Sequence, residues 1–148
     1  MAKVHEIGVC DKKGSKILKV SSVIAIKGKG IVGDRKYKEN NEKITQITLI
    51  ELENINYYNK ISNSKIEPLE FRRNIITQDI KLNDLIDKEF FIGKIKVKGH
   101  DLCRPCLYLE KLLNQKNFVK ILELKGGLRC EILSDGVINL NDKIVTVN

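Results

Sequence analysis

Tryptophan is absent, proline occurs twice, and phenylalanine and tyrosine supply four residues each. With so few aromatics among its basic residues, the chain has no stacking ladder for single-stranded nucleic acid. No apolar run approaches the roughly 18 residues that a membrane-spanning helix needs. The N-terminal MAKVHEIGVCDKKG lacks the apolar centre and small-residue cleavage site of a secretory leader. A cytoplasmic location without a membrane partner is therefore expected. Four cysteines in 148 residues are too sparse for a disulfide scaffold. In a reducing compartment they should be thiols or ligands.

What is present is charge and aliphatic bulk. The length suits one domain, residues 1–148, large enough to fold without a metal or disulfide. The formal net charge is +8, and a basic surface attracts polyanions. Lysine accounts for 22 of the 27 basic residues and is scattered, which reads as a solvated face rather than a nucleic-acid site. Arginine is rare: Arg35, Arg72, Arg73, Arg104 and Arg129. In a lysine-rich chain these mark places where a planar, permanently charged fork is needed.

The segments are short and mostly extended. VHEIGVC, ILKVSSVIAI, KITQITLIE and LEFRRNIIT read as strands. EFFIGKIKVKG reads as a hairpin turning at Gly93-Lys94. GLRCEILSDG and KIVTVN complete the set. In KITQITLIE, Ile44, Gln46, Thr48 and Ile50 share one face, and Thr45, Ile47 and Leu49 the other. Helices are expected at residues 51–60 and 106–115, the second from Leu109, Leu112 and Leu113 at helical spacing. Many short strands with two or three short helices predict a mainly β domain that closes on itself.

GKGIVG, residues 28–33, spells the dinucleotide fingerprint, but the polar DRKYKENNEK that follows carries no apolar stripe. The required helix is not expected, and the reading fails. FRRNIIT carries more. On an extended segment Arg72 and Arg73 point to opposite faces, and Asn74 returns to the face of Arg72. Arg72 and Asn74 could together hold a phosphate or carboxylate. A surface salt bridge to Glu67 or Glu70 is the plainer alternative.

GHDLCRPCLYLE, residues 99–110, holds Cys103 and Cys106, with His100 before them and Cys130 far downstream. Structural zinc has suitable ligand types here, but only one paired half-site. Thiol–disulfide exchange lacks a downstream proline for its customary loop. The third reading is a reactive thiolate. With Pro105 as the first helical residue, Cys106 falls in the first turn, where the helix dipole and Arg104 favour the thiolate. A soft thiolate suits thiophilic metals or sulfur. Cys103 is then an auxiliary thiol and His100 a turn residue. Cys10 and Cys130 fit buried structural positions.

The ordered set KGSK, GIVGDRKY, ITQITLIELE, FRRNIIT, LCRPCLYLE and KGGLRCEILSDG resembles the stand-alone MOSC domain, named after the C-terminal part of molybdenum cofactor sulfurase. The resemblance runs from about residue 4 to residue 147. It implies a closed β-barrel-like fold and chemistry on the molybdenum cofactor, molybdopterin, whether by binding it, transferring sulfur, or reducing N-hydroxylated compounds. It implies that Cys106 is the molybdenum ligand or sulfur carrier and the catalytic residue. Arg72, Arg73 and Asn74 match the family's Arg-Arg-Asn segment, suited to the pterin phosphate, with Arg104 beside the cysteine. Gly33, Asp34 and Arg35 match its Gly-Asp-Arg loop.

Lys36 stands where the family often has histidine, and Cys130 where a small residue is usual. The chain carries neither a pyridoxal-phosphate domain nor an electron-transfer domain. Partners are accordingly expected among cofactor-biosynthesis, sulfur-donor or electron-transfer proteins. Two alternatives stay open: a cofactor carrier without turnover, and a zinc-stabilised basic module.

Overall fold

Period-two alternation of apolar residues builds most of this structure, a computed structural model that describes residues 1–104 and 107–147. The described elements are β1 (Lys3–Val9), β2 (Leu18–Val20), β3 (Ser22–Ile26), β4 (Gly30–Ile31), β5 (Ile47–Glu51), α1 (Leu52–Ser62), β6 (Ile75–Gln78), β7 (Glu89–Ile92), β8 (Ile95–Leu102), α2 (Leu107–Leu112), α3 (Phe118–Ile121), β9 (Leu128–Ile132), β10 (Gly136–Asn139) and β11 (Ile144–Thr146). Eight strands form one sheet in the order β11-β7-β8-β9-β5-β6-β1-β2, and β10-β3-β4 form a second.

The large sheet curls into a barrel-like form. β1 comes round to the start of β11 where Lys3 bridges Lys143, and there Val4 N–H donates to the Asp142 carbonyl and Ile144 N–H to that of Ala2. The small sheet adds its buried face, Val23, Ala25, Ile31 and Ile138, to the same core. The domain is thus mainly β with three short helices, as its many short strands predict. Among the described residues no helix is long and apolar enough to cross a membrane.

β5 shows how alternation divides the molecule. Ile47 and Leu49 enter the barrel core, whereas Ile50 joins an outer cluster with Ile55, Tyr58, Phe71, Ile76, Leu109 and Phe118. β5 and β6 are parallel, so their connection must cross over the sheet, and α1 makes that crossing. Tyr58, Phe71 and Phe118 pack with ring centroids 5.1–5.9 Å apart, tying α1, the turn before β6 and α3 together.

Four local expectations are corrected. ILKVSSVIAI is two strands in different sheets, because the chain breaks at Ser21 between β2 and β3. FRRNIIT is not extended throughout: a 3-10 turn at Pro68–Phe71 ends with Arg72 in the left-handed region (φ 64°), and β6 starts at Ile75. The second helix stops at Leu112, soon followed by Asn114 in left-handed conformation, short of residue 115. His100 is a strand residue of β8, sitting where the ladder to β9 shifts register between Gly99 and Asp101. GKGIVG opens no helix, as expected; the chain runs through turns toward β5.

Candidate functional site

The outer face of β5 and β9 is the floor of the site. The ladder pairs Thr48 with Arg129, which places a hydroxyl and a guanidinium side by side. The same alternation turns Leu128, Cys130 and Ile132 into the barrel core.

The first wall is the loop after β4. Gly33 (φ 90°) turns the chain. The Asp34 carboxylate then accepts from Cys10 N–H at 3.0 Å, Asn74 Nδ2 at 3.3 Å and Lys36 N–H at 3.3 Å. Arg35 N–H donates to the Cys10 carbonyl at 2.7 Å. These bonds pin the loop to the end of β1 and leave the side chains of Arg35 and Lys36 along the cleft.

The second wall is the segment before β6. Arg72 Nη2 donates to Cys10 Sγ at 3.2 Å. Arg73 donates from Nε to the Gly126 carbonyl at 3.0 Å and from Nη1 to that of Phe71 at 3.1 Å. Both guanidiniums line the same cleft rather than opposite faces, because left-handed Arg72 interrupts the strand alternation. Asn74 is buried and bound on every side. Its Oδ1 accepts from Thr48 N–H and Oγ1, and its Nδ2 donates to the Gly8 carbonyl as well as to Asp34. It braces the walls.

The third wall follows β8. Cys103 N–H donates to the Gly127 carbonyl at 2.8 Å; its side chain is buried, and that of Arg104 is exposed. Tyr108 and Leu109 of α2 complete the lining. Pro105 and Cys106 lie outside the described residues.

These walls enclose a cleft of about 190 Å³ lined by Arg35, Lys36, Arg72, Arg73, Arg104 and Arg129, beside Thr48, Cys103, Tyr108 and Leu109. All five arginines of the chain are in that set. Among the described residues none of the six cations is in an ion pair. Positive charge concentrated in this way favours an anion over a neutral molecule. Burial, then the charges of Arg35, Arg129 and Arg73, push the Lys36 ammonium below the usual lysine range, with Cys103 opposing. Through Arg35 and Lys36 the cleft adjoins a hollow of about 490 Å³ that also holds Lys38, Asn40, Asn41, Glu42 and Thr45.

Of the residues singled out in the sequence, Arg35, Arg72, Arg73 and Arg104 come together, and Asp34 and Asn74 stand behind them as supports. Gly33 shapes the loop. Lys36, Thr48, Arg129 and Tyr108 are additional lining residues. Arg129 carried a signal, its type; Thr48 carried none, since its place depends on pairing across the sheet.

The zinc arrangement does not form among the described residues, where no three His, Cys, Asp or Glu side chains converge to hold a metal. His100 Nε2 is 2.8 Å from Glu131 Oε1, and Cys130 faces the barrel core. Burial, with Cys103 adding to it, pushes the Cys130 thiol well above the ordinary range.

Comparison with known proteins fits this architecture. The family described as MOSC domain matches residues 34–145. The crystal structure of the YuaD protein from Bacillus subtilis is similar with a TM-score of 0.84 at 17% identity, over 97% of this chain and 93% of that one. YiiM from Geobacillus stearothermophilus follows at 0.81 and 16%, over 100% of this chain and 76% of its own. YiiM from Escherichia coli gives 0.71 and 14%, over 99% and 68%. Identities this low show shared fold. No curated protein sequence matches this chain.

Proposed function

This chain belongs to the MOSC domain family, which is associated with the molybdenum cofactor, and on that premise we propose that it binds that cofactor in the arginine-lined cleft and acts on it through Cys106. The convergence of all five arginines on one cleft carries this reading. The donor set fits a phosphorylated pterin. Guanidinium forks bind phosphate oxygens bidentately, and Arg73 is already oriented by two backbone carbonyls. Arg35, Arg72, Arg104, Arg129 and Lys36 would share the anionic charge, with the Thr48 hydroxyl as a neutral donor.

Cys106 stands in the chain between Arg104 and Tyr108, both of which line the cleft. As a thiolate it is a soft ligand for a thiophilic metal, or the carrier of a transferred sulfur atom. Bound there, the cofactor would supply a metal centre for two-electron reduction, or an acceptor for sulfur. The protein's own part is to hold the phosphate, orient the ring and present the thiolate. Electrons or sulfur would arrive from a partner protein.

Metal content of protein purified from cells that make molybdenum cofactor tests the reading. The wild type should carry molybdenum, and the content should fall in Cys106→Ser and in Arg72→Ala/Arg73→Ala. A wild type with neither molybdenum nor a persulfide on Cys106 would overturn it.

A further inference from the structure

Six cations crowd one cleft, and five of them cannot give up their charge. Arginine stays protonated in proteins, whereas lysine exchanges its proton when buried or crowded. Within this set Lys36 is the member that can respond. Its position is central: it lines the 190 Å³ cleft, the 490 Å³ hollow beside it and a small hollow of about 30 Å³ against Cys10.

The groups around Lys36 come from every element that packs there. Asp34 and Arg35 belong to its own loop. Cys10 follows β1, Arg72 and Arg73 precede β6, and Arg129 lies on β9. Cys103 and Arg104 follow β8, Tyr108 comes from α2, and Lys38 and Glu42 face the outer hollow. The Asp34 carboxylate is bonded to the backbone N–H groups of Cys10 and Lys36 and to Asn74. Partial burial and then the positive charge of Arg35, Arg129 and Arg73 act together on the amine, and their direction is downward.

We propose that Lys36 is the proton-exchanging residue of the cleft, and that entry of a doubly charged oxyanion is coupled to proton uptake by its amine. The step balances simply. A proton from solvent joins the amine, the ammonium pairs with the oxyanion, and no covalent bond or electron is transferred otherwise. Release of the anion returns the proton. This deepens the cofactor reading and rests on its anion-binding part, not on molybdenum. It also gives the cleft a group able to hold a proton beside a bound phosphorylated ligand.

Sulfate is the probe, because it does not titrate between pH 6 and 10. Calorimetry in two buffers of different ionisation heat reads both affinity and proton uptake. For the wild type the association constant should fall as pH rises from 6 to 10, with proton uptake per sulfate rising in step toward one. Lys36→Arg should bind with little dependence on pH and no uptake. Lys36→Met should bind more weakly at pH 6 and also take up no proton. Circular dichroism checks that both variants are folded.

Sulfate bound by the wild type without proton uptake at any pH between 6 and 10 would overturn the inference, and so would wild-type uptake retained in Lys36→Arg, which would assign the proton to another group. Undetectable sulfate binding at any pH also counts against it. Molybdenum content and proton uptake are separate readouts, so loss of either leaves the other to be judged alone.

Discussion

Asn74 joins three segments with one side chain. Its amide reaches the Gly8 carbonyl, the Asp34 carboxylate and the backbone and hydroxyl of Thr48. Removing it leaves buried groups without partners, which costs far more than one exposed hydrogen bond. Asn74→Ala should lose about 2–4 kcal/mol of stability in urea unfolding. A ligand-only residue would leave the urea midpoint unchanged. Glu51 gives a pH signature. Burial, with Glu53 and Asp84, pushes its carboxyl up, against the Leu82 N–H that its carboxylate accepts. The folded state therefore holds this proton more tightly than the unfolded chain. The associated stability is full below the ordinary glutamate value of about 4.3 and is lost as pH rises through the raised value. Glu51→Gln should thus unfold at a higher urea concentration than wild type at pH 7, with the difference vanishing near pH 4.

At the scale of elements, the strand pairings carry the site. Gly127 adopts φ 108°, and a Cβ there would run into the Leu49 carbonyl across the β5–β9 ladder. Its own carbonyl accepts from Cys103 N–H, and its neighbour's from Arg73. Gly127→Ala should destabilise the fold by at least about 2 kcal/mol in urea. It should also weaken sulfate binding in the fraction that folds, because Arg73 and Arg129 lose their registration. The helices are held differently. α1 has no side-chain cap at its start, so its stability rests on the outer cluster that Ile55 and Tyr58 enter. Phe118→Ala should cost about 3–5 kcal/mol through the cavity it leaves between α1 and α3, read from the thermal midpoint.

For the whole molecule, net charge and site charge are separate properties. The +8 is carried mainly by scattered lysines, whereas the cleft is lined by arginine. Surface charge acts through a screened field; a guanidinium in contact with an oxyanion acts through directed hydrogen bonds. Arg129→Ala should lower sulfate affinity by roughly tenfold or more, since hydrogen bonds to charged groups contribute about 1.5–3 kcal/mol. Lys60→Ala, on α1 away from the cleft, should change it little.

From the sequence by itself came the β character, read from alternation in segments such as KITQITLIE, and the Gly93-Lys94 hairpin between β7 and β8. The rarity of arginine and the run LCRPCLYLE were also legible there, because residue type is chemistry before it is geometry. Tertiary structure decided that Arg35, Arg72, Arg73, Arg104 and Arg129 share one cleft. It also decided that Thr48 is their floor and that Lys36 sits among them. Those placements depend on a parallel β5–β6 pair and on the register of β5 against β9. They depend as well on one left-handed residue, Arg72. Pairing across a sheet couples residues dozens of positions apart, and a single residue outside the extended region reverses which face its neighbours meet. Neither leaves a trace in local periodicity.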